Sequence, residues 1–515
     1  MDTLATPRSD VSAASAMSAA YASTLDEHNE QRALAEAMVP MLGKLYRSNT
    51  VVCSVFGNEL MNVTVIGLLK IHRAVRHVVP HLPAGISIHE TMPFLTALVE
   101  LGTELGPCHV DLGKLSVAYT REGGSIDDDA AVAAYVLNHV QHVLGAGPMM
   151  DLGRGRDVVL FGFGRIGRLV ARVLLEKTGA GDMLALRAIV VRPHMDPVQD
   201  IRKRASLLKR DSSHGKFKGM IEVDEAGGFL IANGVRIKMI YAKDRTAIDY
   251  TEYGIEDAIL IDNTGIWRTR ETLAEHAKCP GISKVVLTAP GKGDVPNIVV
   301  GVNSDNIDMD ETVYAAASCT TNAVCPPLQI LDALYGIDSV HIETIHAFTN
   351  DQNLLDNFHK KERRGRAAPL NLVLTETGAA KAVAGALPQL AGKVTGSAIR
   401  CPTPDVSMAI LIVTLKRDTT VDEVNNALRH AALAGPLQQQ VMYSDSREAA
   451  STDMVSSTAT TIVDSPSTIV HGNRTNIYCW YDNELGYVHQ VVRLVEIIGG
   501  VQRVVIPARF DDDDE

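Results

Sequence analysis

At 515 residues, 46% apolar and 21% charged, the chain has the composition of an ordinary soluble globular protein and the length of about three domains. Its formal charge of −12 includes the five acids at 511–515, and no basic footprint large enough for a phosphate backbone is apparent, which argues against nucleic acid as a partner. Seven cysteines, Cys53, Cys108, Cys279, Cys319, Cys325, Cys401 and Cys479, with no CxxC spacing, point to free thiols in a reducing cytoplasm rather than a disulfide frame or a zinc site. The apolar stretch 51–69 is interrupted by Gly57, Asn58, Glu59 and Asn62, and the first twenty residues hold a single Arg with two Asp, so neither a membrane span nor a signal peptide is expected.

Residues 1–23 are rich in Ala and Ser and are expected to be disordered. Thr24 and Glu27 then form a capping box ahead of Leu34, Met38, Leu42 and Leu45 at helical spacing, which predicts a helix starting there. Ser125, Asp127 and Asp128 precede an apolar run, 130–144, that stops at Gly145, a second bounded helix in a mostly helical module. The histidines of this module (His28, His72, His77, His81, His89, His109, His139, His142) are scattered. His139 and His142 are three apart, but a helical pair without a carboxylate third ligand reads as packing, and no metal is assigned. With no dense cluster of nucleophiles or phosphate loops, the module reads as an oligomerisation unit or a docking unit for a protein partner.

From residue 157 short apolar strands, among them 186–191, 258–261 and 284–287, alternate with helical or loop stretches, which implies a parallel sheet. The first of these strands, ending at Phe161, runs into Gly162, Phe163, Gly164, Arg165, Ile166, Gly167 and Arg168, the strand-turn-helix fingerprint of a dinucleotide site. Gly162 permits the tight turn, Gly164 lets a pyrophosphate approach the backbone, and Gly167 lets the helix pack on the strand, while the helix N-terminus attracts the anion. At the end of the second strand, where an NAD enzyme carries an acid for the ribose hydroxyls, the chain reads Ile189, Val190, Val191, Arg192, Pro193. Without that carboxylate a 2′-phosphate is not repelled, and a guanidinium offers it a charge-assisted partner. The expectation is that NADP is accepted at least as well as NAD.

Longer strand candidates follow at 339–344 and 407–416, with a helix at 421–434, consistent with an antiparallel sheet backed by helices. Cys319 stands after a strand-like run and before a predicted helix, 320–334, whose N-terminus favours a thiolate. Then come His346 with Thr349, and Thr377 with Gly378. One thiol, one imidazole and several hydroxyls of phosphate-binding type, behind a dinucleotide fold, read as a thiol enzyme oxidising a phosphorylated aldehyde through a thioester. Cys325, within one and a half helical turns of Cys319, reads as a core thiol.

The runs 162–168, 211–217 (Asp, Ser, Ser, His, Gly, Lys, Phe), 317–322 (Ala, Ser, Cys, Thr, Thr, Asn), 377–381 (Thr, Gly, Ala, Ala, Lys) and 480–484 (Trp, Tyr, Asp, Asn, Glu) resemble the phosphorylating glyceraldehyde-3-phosphate dehydrogenases. The resemblance spans about 156 to 500 and leaves 1–155 outside it. It implies Arg165 and Ile166 at the pyrophosphate, Lys243 and Thr288 around the adenosine and nicotinamide, and Asn483 at the carboxamide. It implies His346 as the partner of Cys319, Thr349 and Arg400 at the substrate phosphate, and Ser318, Thr320, Thr377 and Gly378 at the attacking phosphate with Arg364 nearby. The chain departs from the family in having Lys243 where Arg is common, Asn357 and Phe358 where NAD-selective relatives tend to have Leu and Pro, and Ala323 where many carry a second Cys.

The resulting expectation is an α/β chain. Residues 1–155 form a helical extension, 156–318 with 484–515 an NAD(P)-binding Rossmann domain, and 319–483 an α+β catalytic domain. The implied reaction is oxidation of D-glyceraldehyde 3-phosphate with inorganic phosphate and NAD or NADP to 1,3-bisphosphoglycerate, in glycolysis or the gluconeogenic direction, by a cytoplasmic homotetramer. The alternatives are erythrose-4-phosphate dehydrogenase and a redox-sensing or scaffold protein on the same fold.

Overall fold

The computed structural model describes residues 10–77, 79, 82, 84–147 and 155–508. They divide into two compact units, one running up to Ala146 and including Val505–Pro507, the other holding the rest. His81 and the acidic run 511–515 lie outside the described residues.

In the first unit α1 (Asp10–Asn49) begins well before Thr24. The expected start at the capping box and the expected disorder up to residue 23 are therefore corrected from Asp10 onward. The upstream stretch is Ala-rich without Gly or Pro, so the helix propagates through Thr24, whose neighbours have no free N–H groups to cap. Residues 21–30 of α1 are exposed, and its inward stripe is Ala35, Met38, Leu42 and Leu45. Next come β1 (Val52–Val55), β2 (Asn58–Glu59), α2 (Val65–Ala74), α3 (Ile88–Glu100), β3 (Cys108–Asp111), α4 (Leu112–Arg121) and α5 (Asp129–Val140). Asp128 caps α5 by accepting from the Ala131 N–H at 3.0 Å. His139 Nδ1 donates to the Tyr135 carbonyl at 2.9 Å, so one of its two possible metal-binding nitrogens is already committed.

The unit also contains a small sheet that the helical pattern did not reveal: β1 pairs antiparallel with β2 and parallel with β3. Both longer strands are buried on both faces, which removes the alternation that betrays a strand. The Asp111 carboxylate ties them together, accepting from the Ser54 hydroxyl (3.0 Å) and from the N–H groups of Phe56 (2.9 Å), Gly57 (2.7 Å) and Lys114 (3.0 Å).

The second unit holds two eight-stranded sheets. The first is built from β4 (Arg156–Phe161), β5 (Leu184–Val191), β6 (Ile221–Asp224), β7 (Phe229–Ala232), β8 (Val235–Tyr241), β9 (Ala258–Asp262), β10 (Ile282–Leu287) and β11 (Val313–Ala315), with α6 (Arg165–Glu176), α7 (Pro197–Lys209) and α8 (Arg270–Ala277) in its connections. Its strand order is β11-β10-β9-β4-β5-β8-β7-β6, parallel from β11 to β8 and antiparallel in the β8–β7 and β7–β6 pairings. Because β5 lies on one side of β4 and β9 on the other, the order reverses at β4, where an open α/β sheet leaves a crevice beyond its strand ends.

The second sheet uses β12 (Ile337–Ala347), β13 (Val373–Thr375), β14 (Val394–Cys401), β15 (Ser407–Leu415), β16 (Val441–Ser444), β17 (Thr461–Asp464), β18 (Ile469–His471) and β19 (Arg474–Tyr481). It is mixed rather than purely antiparallel: β12 pairs in parallel with β14, and β16 with β17. Helices α9 (Cys319–Tyr335), α10 (Ala379–Ala386) and α11 (Val421–Leu433) supply Val324, Leu328, Leu331, Val383, Val424 and Leu428 to the core over Ile342, Leu411 and Ile477. Helix α12 (Leu485–Ile498) returns to the first sheet and packs Val488, Val491 and Val495 with Leu169 and Val173 of α6. The terminal strand β20 (Val504–Ile506) neighbours β3, and residues 505–507 belong to the first unit, where 484–515 was expected with the Rossmann half. Three apolar residues after a Gly-Gly stop carry no period that says which sheet they join. Among the described residues no helix is long and apolar enough to cross a membrane.

Candidate active site

At the reversal point Gly162 adopts φ +92°, a conformation open to glycine, and Gly164 caps α6. A Cβ on Gly167 would lie 2.4 Å from the Gly162 carbonyl oxygen, so α6 can approach β4 only because residue 167 has none. A Cβ on Gly164 would meet nothing within 4 Å, leaving clear space in front of the helix N-terminus. That space is a cavity of about 350 Å³ lined by Phe161, Gly162, Phe163, Gly164, Val190, Val191, Arg192, His194, Arg204, Thr264, Ile266 and Trp267. The bare backbone turn, the helix N-terminus and the apolar walls fit a dinucleotide.

Arg192 is exposed on this cavity's rim, and no carboxylate lines it. The Arg165 guanidinium instead points into a charged cluster, so at this position only main chain remains for an anion. Ile166 packs against the core. Lys243, Thr288 and Asn483 do not line the cavity: Lys243 is exposed, Thr288 donates its hydroxyl to the Asp262 carbonyl (3.1 Å), and Asn483 accepts from the Ser407 hydroxyl (2.8 Å).

Ser318 caps α9, its hydroxyl accepting from the Thr321 N–H at 3.0 Å, which puts Cys319 at the first helical position. Consecutive in the chain, α9 and β12 bring Cys319 Sγ to 3.5 Å from His346 Nε2. Arg400, opposite His346 in the parallel register of β14, places Nη1 2.7 Å from His346 Nδ1 and 2.8 Å from the Ala347 carbonyl, which itself lies 2.7 Å from Nδ1. Two tautomers follow. With Nδ1 accepting from Arg400, the imidazole proton is on Nε2 facing sulfur; with Nδ1–H donating to the Ala347 carbonyl, Nε2 offers a lone pair.

Burial, then the nearby Arg400 charge, lowers the His346 imidazole to about 3. Burial pushes the Cys319 thiol up, while the Arg400 charge, hydrogen bonds from Thr320 and the helix-start N–H groups pull it down. With the imidazole neutral, the Arg400 charge joins the helix-start N–H groups in favouring the thiolate, where the sequence assigned that task to the imidazole and the helix end.

Around this pair the hydroxyls are partly committed. Thr320 is buried and shares a hydrogen bond with the Tyr481 hydroxyl (3.2 Å), and Thr377 accepts from the Ala379 N–H (3.2 Å) beside Gly378, the N-cap of α10. Thr349 follows the end of β12 and is half-buried. Arg364 donates to Thr375 (2.9 Å) and pairs with Asp351, yet it lies close enough to feel the Arg400 charge and to act with its own on His346. Tyr481 is a residue that motif reading passed over: its ring meets His346 edge-on (5.9 Å, 80°), and its hydroxyl also bonds Thr344 at 2.7 Å. The signal was its place in the 480–484 run.

A second feature joins three of the family-like runs. His214 Nε2 lies 2.9 Å from Asp482 and 3.1 Å from Asp405, and its Nδ1 lies 3.5 Å from Asp211 and 3.9 Å from Glu484. Arg165 pairs with Asp211 at 2.5 Å and with Glu484. Burial alone would lower the imidazole, but hydrogen bonds to Asp405 and Asp482 raise it to about 10. Atoms of His214, Asp405 and Glu484 converge as metal ligands do, but the imidazolium and guanidinium already supply the positive charge there.

The glyceraldehyde 3-phosphate dehydrogenase NAD binding domain family matches residues 156–270, and the C-terminal domain family of the same enzymes matches 318–483. A "Glyceraldehyde-3-phosphate dehydrogenase-like protein" of Pseudomonas aeruginosa (strain UCBPP-PA14) is 52% identical over 472 residues, 91% of this chain and 100% of the relative. Its alignment therefore reaches into the N-terminal unit. The glyceraldehyde-3-phosphate dehydrogenase of Clostridium pasteurianum is 37% identical over 351 residues (67% of this chain, 99% of the relative). The chloroplastic A form from Zea mays is 40% identical over 342 residues (66% and 81%). The chain is a nicotinamide-dinucleotide oxidoreductase that belongs to the glyceraldehyde-3-phosphate dehydrogenase family, extended at its N-terminus by a mostly helical unit.

Proposed function

We propose that the protein oxidises D-glyceraldehyde 3-phosphate with inorganic phosphate to 1,3-bisphosphoglycerate, running in glycolysis or in the gluconeogenic direction. The observation that carries the reading is Cys319 Sγ at 3.5 Å from His346 Nε2, at a helix start and beside the guanidinium of Arg400. A substrate phosphate drawing Arg400 away from Nδ1 lets Nδ1–H donate to the Ala347 carbonyl, so that Nε2 becomes the base. Nε2 then takes the thiol proton as sulfur bonds the aldehyde carbon, and returns it to the oxygen to give a thiohemiacetal. The bound dinucleotide supplies the hydride acceptor. As hydride leaves the carbon, Nε2 takes the hydroxyl proton and a thioester remains on Cys319. Inorganic phosphate, held among Ser318, Thr320, Thr377, Gly378 and Arg364, attacks the acyl carbon, and the C–S bond breaks to release acyl phosphate and thiolate. Thr349 and Arg400 hold the substrate phosphate.

NADP serves at least as well as NAD in this reading, supported by Arg192 on a cavity rim without a carboxylate. A homotetramer is supported by the exposed apolar side chains of Leu354, Leu355, Phe358, Leu370, Leu372 and Leu374, more than a lone subunit usually shows to water. Seven cysteines with no disulfide among them suit the cytoplasm, and the N-terminal unit serves assembly or a protein partner.

Steady-state kinetics of the full chain on glyceraldehyde 3-phosphate and erythrose 4-phosphate, with and without phosphate, test the reaction. Phosphate-dependent turnover that favours the triose is expected; a preference for the tetrose, or turnover indifferent to phosphate, refutes it. Catalytic efficiency with both cofactors, before and after Arg192→Asp, tests the cofactor, and a strong wild-type preference for NAD refutes that part.

A further inference from the structure

We infer that the cofactor cavity contains a subsite for a ribose 2′-phosphate built from two guanidiniums and an imidazole, in which Arg204 and His194 act with Arg192 and Asp200 holds Arg204 in place; the inference rests on the reading that NADP is taken. The cavity's ionisable lining consists of Arg192, His194 and Arg204 and of no acid. Two of these, Arg192 and His194, belong to the loop that leaves β5, and the third comes from α7, so the donors arrive from two elements.

Arg204 is not a loose surface side chain. Asp200, one turn earlier on α7 and buried, receives its Nε through Oδ1 and its Nη2 through Oδ2 (3.2 Å for the latter). That fork uses one edge of the guanidinium and leaves Nη1 as the donor not taken by the carboxylate. Asp200 also lies beside the Tyr241 hydroxyl, whose ionisation is suppressed by burial and then by the Asp200 charge. A surface helix pair at i,i+4 would ordinarily only solubilise its face. Here the Arg–Asp pair is largely shielded from water and borders a cavity whose floor is the Gly162 turn. A dianionic group suits this place because it can take donors from several directions, whereas the paired hydroxyls of an unphosphorylated ribose are best met by a carboxylate, which the cavity lining does not include.

The test compares the dissociation constants of 2′,5′-ADP and ADP by titration calorimetry, and kcat/KM for NADP over NAD, in the full-length protein and in Arg204→Ala, Arg204→Lys and the exposed His194→Gln. Loss of one charge-assisted hydrogen bond is expected to lower the NADP-over-NAD ratio roughly tenfold in Arg204→Ala and to weaken 2′,5′-ADP similarly. Arg204→Lys keeps a charge near Asp200 but loses the fork, so it lowers the ratio without depending on whether the alanine variant folds. His194→Gln lowers it by a smaller factor. If wild type prefers NADP and Arg192→Ala collapses that preference while the Arg204 and His194 variants leave the ratio unchanged, the subsite is Arg192 alone and the inference falls with the cofactor reading intact. If wild type favours NAD and binds 2′,5′-ADP no better than ADP, the cofactor reading fails and takes the inference with it.

Discussion

Replacing His214 by Gln keeps a side-chain hydrogen-bond donor among Asp405, Asp482, Asp211 and Glu484 and removes only the positive charge. Four carboxylates then share one guanidinium, that of Arg165. The imidazole, ordinarily near 6.5, is held at about 10 in the folded protein. A group raised on folding contributes stability that is fully present below its unfolded value and is lost as pH rises through the folded one. The contribution is therefore complete below about 6.5, declines above it, and is gone above about 10. Each pH unit of that window corresponds to about 1.4 kcal/mol. The full span sets a ceiling of several kcal/mol, and breaking a buried ion pair by removing one partner costs roughly 3–5 kcal/mol. Taking about 3 kcal/mol, the unfolding midpoint of a unit this large should fall by roughly 4 °C at neutral pH. Thermal unfolding of wild type and His214→Gln at pH 7.5 and pH 10.5 checks it. The gap is expected at the lower pH and should close at the higher one, where wild type has also lost the charge. An equal gap at both values means that the substitution costs packing rather than charge, and the reasoning fails.

His346→Gln should lower kcat for aldehyde oxidation by roughly 10²–10⁴-fold through loss of the proton carrier, measured in steady state; a loss below tenfold removes His346 from that role. Gly167→Ala sets a methyl 2.4 Å from the Gly162 carbonyl and should cost roughly 1–3 kcal/mol as α6 is pushed off β4, read as a lower unfolding midpoint together with a higher KM for the dinucleotide. Ending the chain at Arg503 removes β20 from its place beside β3, and hydrogen exchange at Cys108–Asp111 should speed up because one edge of that strand loses its partner; unchanged protection there argues that β20 adds nothing to the sheet.

Much of the candidate site was legible because its signals are local. The glycines of 162–167 must follow a strand and open a helix, and they do, since each serves a backbone need within one turn. Cys319 and His346 are 27 residues apart, but a helix start and the strand that follows it bring them together, so element order alone made the pairing readable. What stayed hidden depends on partners remote in the chain. His214 meets Asp482 across 268 residues, and nothing near Ser212, Ser213 or Gly215 announces a carboxylate cluster.

Arg204 and Asp200 illustrate the opposite failure. Their spacing was visible, but i,i+4 opposite charges are a common solvent-facing pattern, and only the burial of Asp200 and the cavity beside Arg204 distinguish this pair from one that merely decorates a helix. The same logic governs α1: a capping box marks a helix start only where the residues before it leave N–H groups unpaired, and the Ala-rich run upstream of Thr24 does not. In each case the residue types were correct and their meaning was set by what surrounds them. The charge at Arg400 makes the point for the chemistry. By sequence it is a phosphate ligand thirty-odd positions beyond the loop that carries Arg364, yet its register opposite His346 also makes it the group that selects the imidazole tautomer, and so decides whether Nε2 presents a proton or a lone pair to the sulfur.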